Sequence, residues 1–318
     1  MSELKVRVAR KVSEADGISS FELVAADGST LPAFEAGAHI DVHLRDGLVR
    51  QYSLCNPPQE RHRYLIAVLR DPSSRGGSTA MHDEIEEGHV ISISAPKNHF
   101  PLEPAARSLL FAGGIGVTPI LAMAEALSSA GADFEVHYNV RSPERTAFRQ
   151  RIANAPYAAR VHVHDDSGDA AQKLDCARAL GAPRADTHVY VCGPGGYIDH
   201  VLGTATTLGW PAAQLHREYF NAVPVDESGD QAFDVRLASS GQLFTIPVGR
   251  TVVEVLAEAG VDIPVSCEQG VCGTCLTRVL DGVPDHRDVY LTDEERAAND
   301  QFTPCCSRSK SAVLSLDL

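Results

Sequence analysis

Along the first hundred or so residues, hydrophobic and polar positions alternate in short runs separated by turn signals. Residues 6–9, 18–24, 39–44, 64–68 and 90–93 carry the period of two expected of half-buried strands. Asp16-Gly17, Asp27-Gly28 and Asp46-Gly47 supply hairpin turns. One helix is expected near residues 77–87, with Ser78 or Thr79 as its cap. The pattern over residues 1–104 predicts an antiparallel β-barrel with a single capping helix.

From about residue 105 the rhythm changes to alternating strand and helix. An apolar strand at 108–112 runs straight into Gly113-Gly114-Ile115-Gly116-Val117-Thr118-Pro119-Ile120, and a helix follows to about Ala130. Further strands at 134–140, 159–164 and 188–192 predict a doubly wound parallel sheet over 105–222, with ligands at the carboxyl ends of its strands. The polar stretch AVPVDESGDQ at 222–231 marks a linker, placed at 223–230. In the last segment, 231–318, a hairpin turns at Ser240-Gly241 and Thr251 caps a helix over 252–259. A strand follows at 277–281, and Thr292 caps a short acidic turn.

A chain of 318 residues is too long for one ordinary core, which agrees with several domains. Its 28 basic and 42 acidic residues give a net charge of −14, with no part forming a basic face. Nucleic acid and anionic membrane are therefore excluded as expected partners, and the acidic surface is read mainly as solubility. The charged start MSELKVRVARKV is no signal peptide. The apolar run 109–127 is interrupted by Gly113, Gly114, Gly116 and Pro119, as suits a buried strand, turn and helix rather than a membrane span. A cytoplasmic chain with reduced thiols is expected, in which eight cysteines point to metal ligation rather than disulfides.

Three of those cysteines, Cys267, Cys272 and Cys275, stand in PVSCEQGVCGTCL with the spacing C-x4-C-x2-C. With one of the pair Cys305-Cys306 as the fourth ligand, the spacing is that of a plant-type [2Fe–2S] cluster. Each iron needs two thiolates, and Gly270 and Gly273 let the backbone wrap closely around the core. A structural zinc site is the alternative, but such sites usually pair two C-x2-C knuckles and only one occurs here.

Three further motifs carry chemistry. Arg50-Gln51-Tyr52-Ser53-Leu54 gathers a cation, an aromatic ring and a hydroxyl at a strand end. Arg75-Gly76-Gly77-Ser78-Thr79 opens a helix with glycines and hydroxyls, an anion site from free N–H groups and dipole, or simply a helix start. The GGIGVTPI turn has the physics of a pyrophosphate site without the GxGxxG spacing, and Cys192-Gly193-Pro194 closes another strand toward the same crevice. Tight βα turns alone would also use such glycines.

The order RxYS, RGGST, GGIGVTPI and a CGP turn resembles the ferredoxin-NADP reductase superfamily. With the plant-type cluster spacing at the C-terminal end, the whole chain resembles the phthalate dioxygenase reductase family, which includes vanillate demethylase-type reductases. The resemblance implies an FMN-binding barrel, an NAD-binding α/β domain and a β-grasp ferredoxin domain. It implies that Arg50 meets the flavin phosphate, Tyr52 packs on the flavin, and Ser53, followed by Leu54, lies near its reactive nitrogen. Gly77, Ser78 and Thr79 match the flavin phosphate turn. Gly114, Gly116, Val117 and Thr118 match the nicotinamide dinucleotide turn, Cys192, Gly193 and Pro194 flank the nicotinamide, and Phe220 lies against the flavin ring. The family's C-x-S-R ending makes Cys305 the fourth cluster ligand.

NADH is the expected donor. Asp165-Asp166 ends the third strand and repels a phosphate, although Arg141-Ser142 would suit NADPH. A nicotinamide releases a hydride whereas a [2Fe–2S] cluster takes one electron, so a flavin between them converts one currency to the other. Ser53, Cys192 and Phe220 are expected to orient and tune at that transfer. The resemblance implies a Rieske-type non-haem iron oxygenase as acceptor and a monomeric reductase. A cytochrome P450 or di-iron monooxygenase partner would use the same modules. From a different class, the last domain would be a cluster- or zinc-bearing redox sensor or interaction module.

Overall fold

The computed structural model describes residues 3–72, 76–221 and 227–318, without the side chains of Asp46 and Asp293. Arg75 and the first half of the predicted linker, residues 223–226, lie outside the described residues. The chain divides into two compact units, Met1–Glu218 and Tyr219–Leu318.

The first unit opens with β1 (Leu4–Ala15), β2 (Ile18–Ala25), β3 (Ala38–His43), β4 (Val49–Ser53), β5 (Tyr64–Leu69), α1 (Gly77–Asp83), β6 (Val90–Ile93) and β7 (Lys97–Asn98). They form one antiparallel sheet in the order β4-β3-β6-β1-β2-β5, with β7 added on β3. Its ends, β4 and β5, approach each other, so the sheet curls around a core. Five of the strands supply that core at alternate positions: Val6 and Val8, Phe21 and Leu23, Ile40 and Val42, Tyr64 and Ile66, Ile91 and Ile93. Met81 plugs it from α1. Asp16-Gly17 turns β1 into its neighbour β2, and Asp46-Gly47 lies between the paired β3 and β4. Asp27-Gly28 does not make a hairpin, because β2 and β3 are not neighbours in the sheet.

The expected cap of α1 is also corrected. Its N-cap is Gly76 at φ 95°, with no side-chain cap, and Ser78 and Thr79 sit inside the first turn. The Ser78 hydroxyl instead accepts the Asp71 N–H at 3.1 Å. A left-handed Gly76 sets the chain direction that a serine cap would otherwise set.

The same unit continues with β8 (Arg107–Gly113), α2 (Val117–Ser129), β9 (Asp133–Val140), α3 (Arg149–Asn154), β10 (Val161–Asp165), α4 (Cys176–Leu180), β11 (Thr187–Gly193), α5 (Gly195–Thr207) and β12 (Leu215–Tyr219). The sheet order is β10-β9-β8-β11-β12, and β10/β9, β9/β8 and β8/β11 are parallel. Residues 108–113 of β8 are all buried, as a strand covered on both faces requires. The edge strand β12 was not expected from the pattern.

The second unit holds β13 (Phe233–Leu237), β14 (Leu243–Ile246), α6 (Val252–Glu258), β15 (Thr277–Asp281), β16 (Pro284–Asp285), α7 (Asp293–Ala298), β17 (Gln301–Phe302), β18 (Arg308–Ser309) and β19 (Val313–Leu316). Its main sheet runs β14-β13-β19-β15-β17, with β16 and β18 paired separately. Thr251 and Thr292 both complete capping boxes, with Glu254 and Glu295. Val252 and Leu256 of α6 pack on Val235, Leu314 and Leu316. Among the described residues no helix is long and apolar enough to cross a membrane.

Candidate functional site

Strand β4 carries Arg50, Tyr52 and Ser53 beside β3, with Ile40 opposite Tyr52 and His39 opposite Ser53. Tyr52 packs against the barrel core, and burial pushes its phenol well above the usual range. Leu54 is fully buried, and its N–H bonds the Ala38 carbonyl. The Arg50 stem crosses Gly77: a Cβ there would come within 2.5 Å of Arg50 Cγ and 2.8 Å of its Nε. Only glycine admits the arginine so close to the start of α1, where the first N–H groups have no intrahelical acceptor. Cation and helix start thus converge, an arrangement that suits an anionic group.

The turn after β8 is tighter than the pattern suggested. Gly114–Gly116 form a 3-10 turn before α2, and the Thr118 hydroxyl folds back on the Ile115 carbonyl at 3.1 Å. The glycines here have different tasks. A Cβ on Gly116 would lie 2.2 Å from the Cys192 carbonyl oxygen, so Gly116 lets two strand ends meet. Gly113 and Gly193 make room for the Tyr197 ring, whose hydroxyl donates to Asn139 at 3.0 Å. Gly114, at φ 54°, faces open space, so its backbone is free for a ligand's approach. Pro194 caps α5, and the crevice lies between the carboxyl ends of β8 and β11, where the strand order reverses.

Ser53 and Cys192 meet on a third residue. The Ser53 hydroxyl donates to Glu218 Oε2 at 3.4 Å, and the Cys192 thiol reaches the same oxygen at 3.9 Å. Glu218 arrives on β12. Its residue keeps some exposed surface, but burial of the carboxyl group pushes its pKa up to about 8. Burial raises the Cys192 thiol further, with the carboxyl beside it adding to the effect, so both groups hold their protons at neutral pH. Sequence reasoning missed Glu218 because its signal, a glutamate two residues before an aromatic, is too common to single out. Phe220 follows β12 and is half-buried, across the division in the second unit. Past the crevice, Arg141 is exposed, and Asp165 accepts the Ser167 N–H and hydroxyl at 2.9 and 2.8 Å. A separate cavity of about 610 Å3, lined by His137, His162 and Trp210 among others, shares none of its lining residues with the glycine turns of this crevice.

In the second unit Cys267, Cys272, Cys275 and Cys305 are all buried. Cys267 touches Cys272 and Cys305, and Cys305 touches Cys275. Cys306 also touches Cys305, but its sulfur lies 3.3 Å from the Thr303 hydroxyl and 3.8 Å from that of Ser307. Among the described residues no three or more His, Cys, Asp or Glu surround one point as a single metal ion needs. Two sulfurs to each iron demand no such point. Backbone N–H groups aim at sulfur, Gln269 at Cys267 (3.3 Å) and Thr274 at Cys272 (3.4 Å). Gly270 and Gly273 have φ 71° and 67°, and a Cβ on them would strike Asp288 at 2.8 Å and the Tyr290 ring at 2.2 Å. The strap 286–291 closes over the loop, with the Val289 N–H on the Gly270 carbonyl at 3.0 Å. Converging sulfurs, N–H donors and a cradle that excludes Cβ atoms fit an anionic iron–sulfur core.

Residues 235–310 match the family described as 2Fe-2S iron-sulfur cluster binding domain. The chain is 59% identical to the vanillate O-demethylase oxidoreductase of Pseudomonas putida over 314 residues, 98% of both chains. It matches the solved phthalate dioxygenase reductase, described as modular for electron transfer from pyridine nucleotides to [2Fe-2S], at 42% identity and TM-score 0.77 over 100% of this chain and 98% of the other. It also matches an intact type IV self-sufficient cytochrome P450 monooxygenase at 38% identity and TM-score 0.87, covering 99% of this chain and 41% of that longer one. Full-length likeness at these identities, on this fold and with this site, leads to one conclusion: the chain belongs to the phthalate dioxygenase reductase family and is an oxidoreductase with a 2Fe-2S domain in its second unit.

Proposed function

We propose that this reductase delivers electrons one at a time to a Rieske-type non-haem iron oxygenase, as a monomer in the cytoplasm. The observation that carries the internal route is the meeting of Ser53, from the flavin strand, with Cys192, from the nicotinamide turn, on Glu218. Two cofactor sites that share one buried carboxyl group are placed for direct transfer between their occupants. When bound, the flavin supplies the conversion from a hydride pair to single electrons.

The chain's own residues hold and orient. Arg50 and the Gly77, Ser78 and Thr79 turn hold the flavin phosphate, with Tyr52 and Leu54 against the ring. Gly114, Gly116, Val117 and Thr118 seat the dinucleotide, while Cys192, Gly193 and Pro194 flank the nicotinamide. Ser53 and Glu218 are neutral hydrogen-bonding groups there, so no ionised acid or base stands in the path. Cys267, Cys272, Cys275 and Cys305 ligate the cluster.

The Rieske partner rests on the family resemblance, and the likeness to a P450 monooxygenase favours a second reading with a haem acceptor. Rapid mixing of the NADH-reduced protein with a purified Rieske oxygenase and, separately, a P450 decides between them. Reduction of the Rieske centre at a rate matching turnover is expected, and reduction of haem alone would overturn the proposal. Zinc without iron and acid-labile sulfide would return the last domain to a sensor or interaction module.

A further inference from the structure

Asp230 enters the second unit just ahead of β13, and its side chain is only 5% exposed. Its carboxylate receives both terminal nitrogens of Arg287, Nη1 at 3.0 Å, and pairs with Arg308 Nε at 3.3 Å. The two guanidinium groups come from neighbouring segments, one entering the strap and one following Cys305, which are paired through β16 and β18.

Arg308 stands three residues after Cys305. Its remaining nitrogens donate to the carbonyls of Arg250 (2.9 Å), Gln231 (3.0 Å) and Pro247 (3.1 Å). Its guanidinium lies 5.1 Å from the centre of the Phe233 ring. Arg287 donates its backbone N–H to Ser307 Oγ at 3.1 Å and begins the strap that covers Gly270 and Gly273. One carboxylate therefore ties the chain entering from the linker to the loop bearing Cys305 and to the strap over the other three cysteines.

We propose that Asp230 is a positioning residue for the iron–sulfur centre, one that sets its reduction potential. This rests on the cluster reading. The physical basis is twofold. The carboxylate offsets two buried cations near the cysteine cradle, and it holds the strap over the cysteine loop against the stretch that follows Cys305; local charge and the packing around the sulfurs both set cluster potentials. Removing the negative charge makes the cluster easier to reduce.

The test is an EPR-monitored redox titration of the full-length holoprotein carrying Asp230→Asn, Asp230→Glu or Arg308→Lys. Asp230→Asn is expected to raise the midpoint, shifting the reduction equilibrium several-fold toward the reduced form, each tenfold being 59 mV for one electron. Asp230→Glu restores most of that shift. Arg308→Lys keeps the charge but breaks the fork, and it changes the line shape of the reduced cluster. Asp285→Asn serves as control, because among the described residues the Asp285 carboxylate accepts from Arg287, at 2.9 Å, and makes no bond to Arg308. A shift in Asp230→Asn no larger than in this control overturns the proposal. So does a lowered melting temperature with midpoint and spectrum unchanged. If Asp230→Asn does not fold, a wild-type line shape in Arg308→Lys overturns it. A wild-type protein without a cluster signal would refute the cluster reading itself.

Discussion

Ser53 and Glu218 lie 165 residues apart in the chain, and the hydroxyl of one donates to the carboxyl of the other at 3.4 Å. The bond joins the first sheet to the edge strand of the second within one compact unit. It places a proton-bearing carboxyl group where the expected flavin and nicotinamide sites meet.

The Glu218 carboxyl, ordinarily near 4.5, is pushed up to about 8 by burial. A raised folded-state value means the folded chain binds this proton more tightly than the unfolded one. Its stabilisation is fully present below about pH 4.5 and is lost as pH rises through about 8. Melting temperatures of the parent, relative to Glu218→Gln, should fall across that window and level off above it. Two parallel curves would refute the shift.

Ser53→Ala removes one hydrogen bond at the transfer site without touching the expected phosphate contacts. Flavin reduction by NADH, followed by stopped flow, should slow about tenfold, roughly what one well-placed hydrogen bond is worth. Flavin occupancy should not change. A parent-like reduction rate would remove Ser53 from the transfer geometry.

Gly116→Ala drives a Cβ to within 2.2 Å of the Cys192 oxygen and 2.6 Å of the Gly193 nitrogen. Backbone cannot step aside as a flexible side chain can. The cost should be about 1–3 kcal/mol of stability, with a raised KM for NADH. Gly195→Ala, with nothing within 4 Å of its Cβ, should behave like the parent in both assays.

Gly273→Ala meets the Tyr290 ring at 2.2 Å and holds an alanine at φ 67°. Iron and acid-labile sulfide per chain should drop well below the parent. Adding Tyr290→Ala should restore part of the loss, because the clash goes while the backbone strain stays. Full cluster content in the single variant would mean that the cradle is loose.

Arg50→Ala removes the cation beside the start of α1. A charged hydrogen bond of about 1.5–3 kcal/mol implies flavin binding about ten- to hundredfold weaker. Flavin occupancy after dilution and gel filtration reads the effect directly. Unchanged occupancy would take Arg50 out of the phosphate site.

Local chemistry was legible along the chain because it depends on near neighbours. The period-two runs became the strands of the first sheet, Thr251 and Thr292 became caps, and the cysteine spacing brought four sulfurs together. The cap expected at Ser78 or Thr79 failed for a local reason as well, since a left-handed Gly76 took that role. What only the tertiary structure decided is which distant residues share a site. Glu218 on an edge strand, Tyr197 over two glycines and Asp230 between two arginines carry no signal in their own neighbourhoods. Burial and charge pairing act through space, and a carboxyl group's pKa follows from what packs around it once the strands are in register.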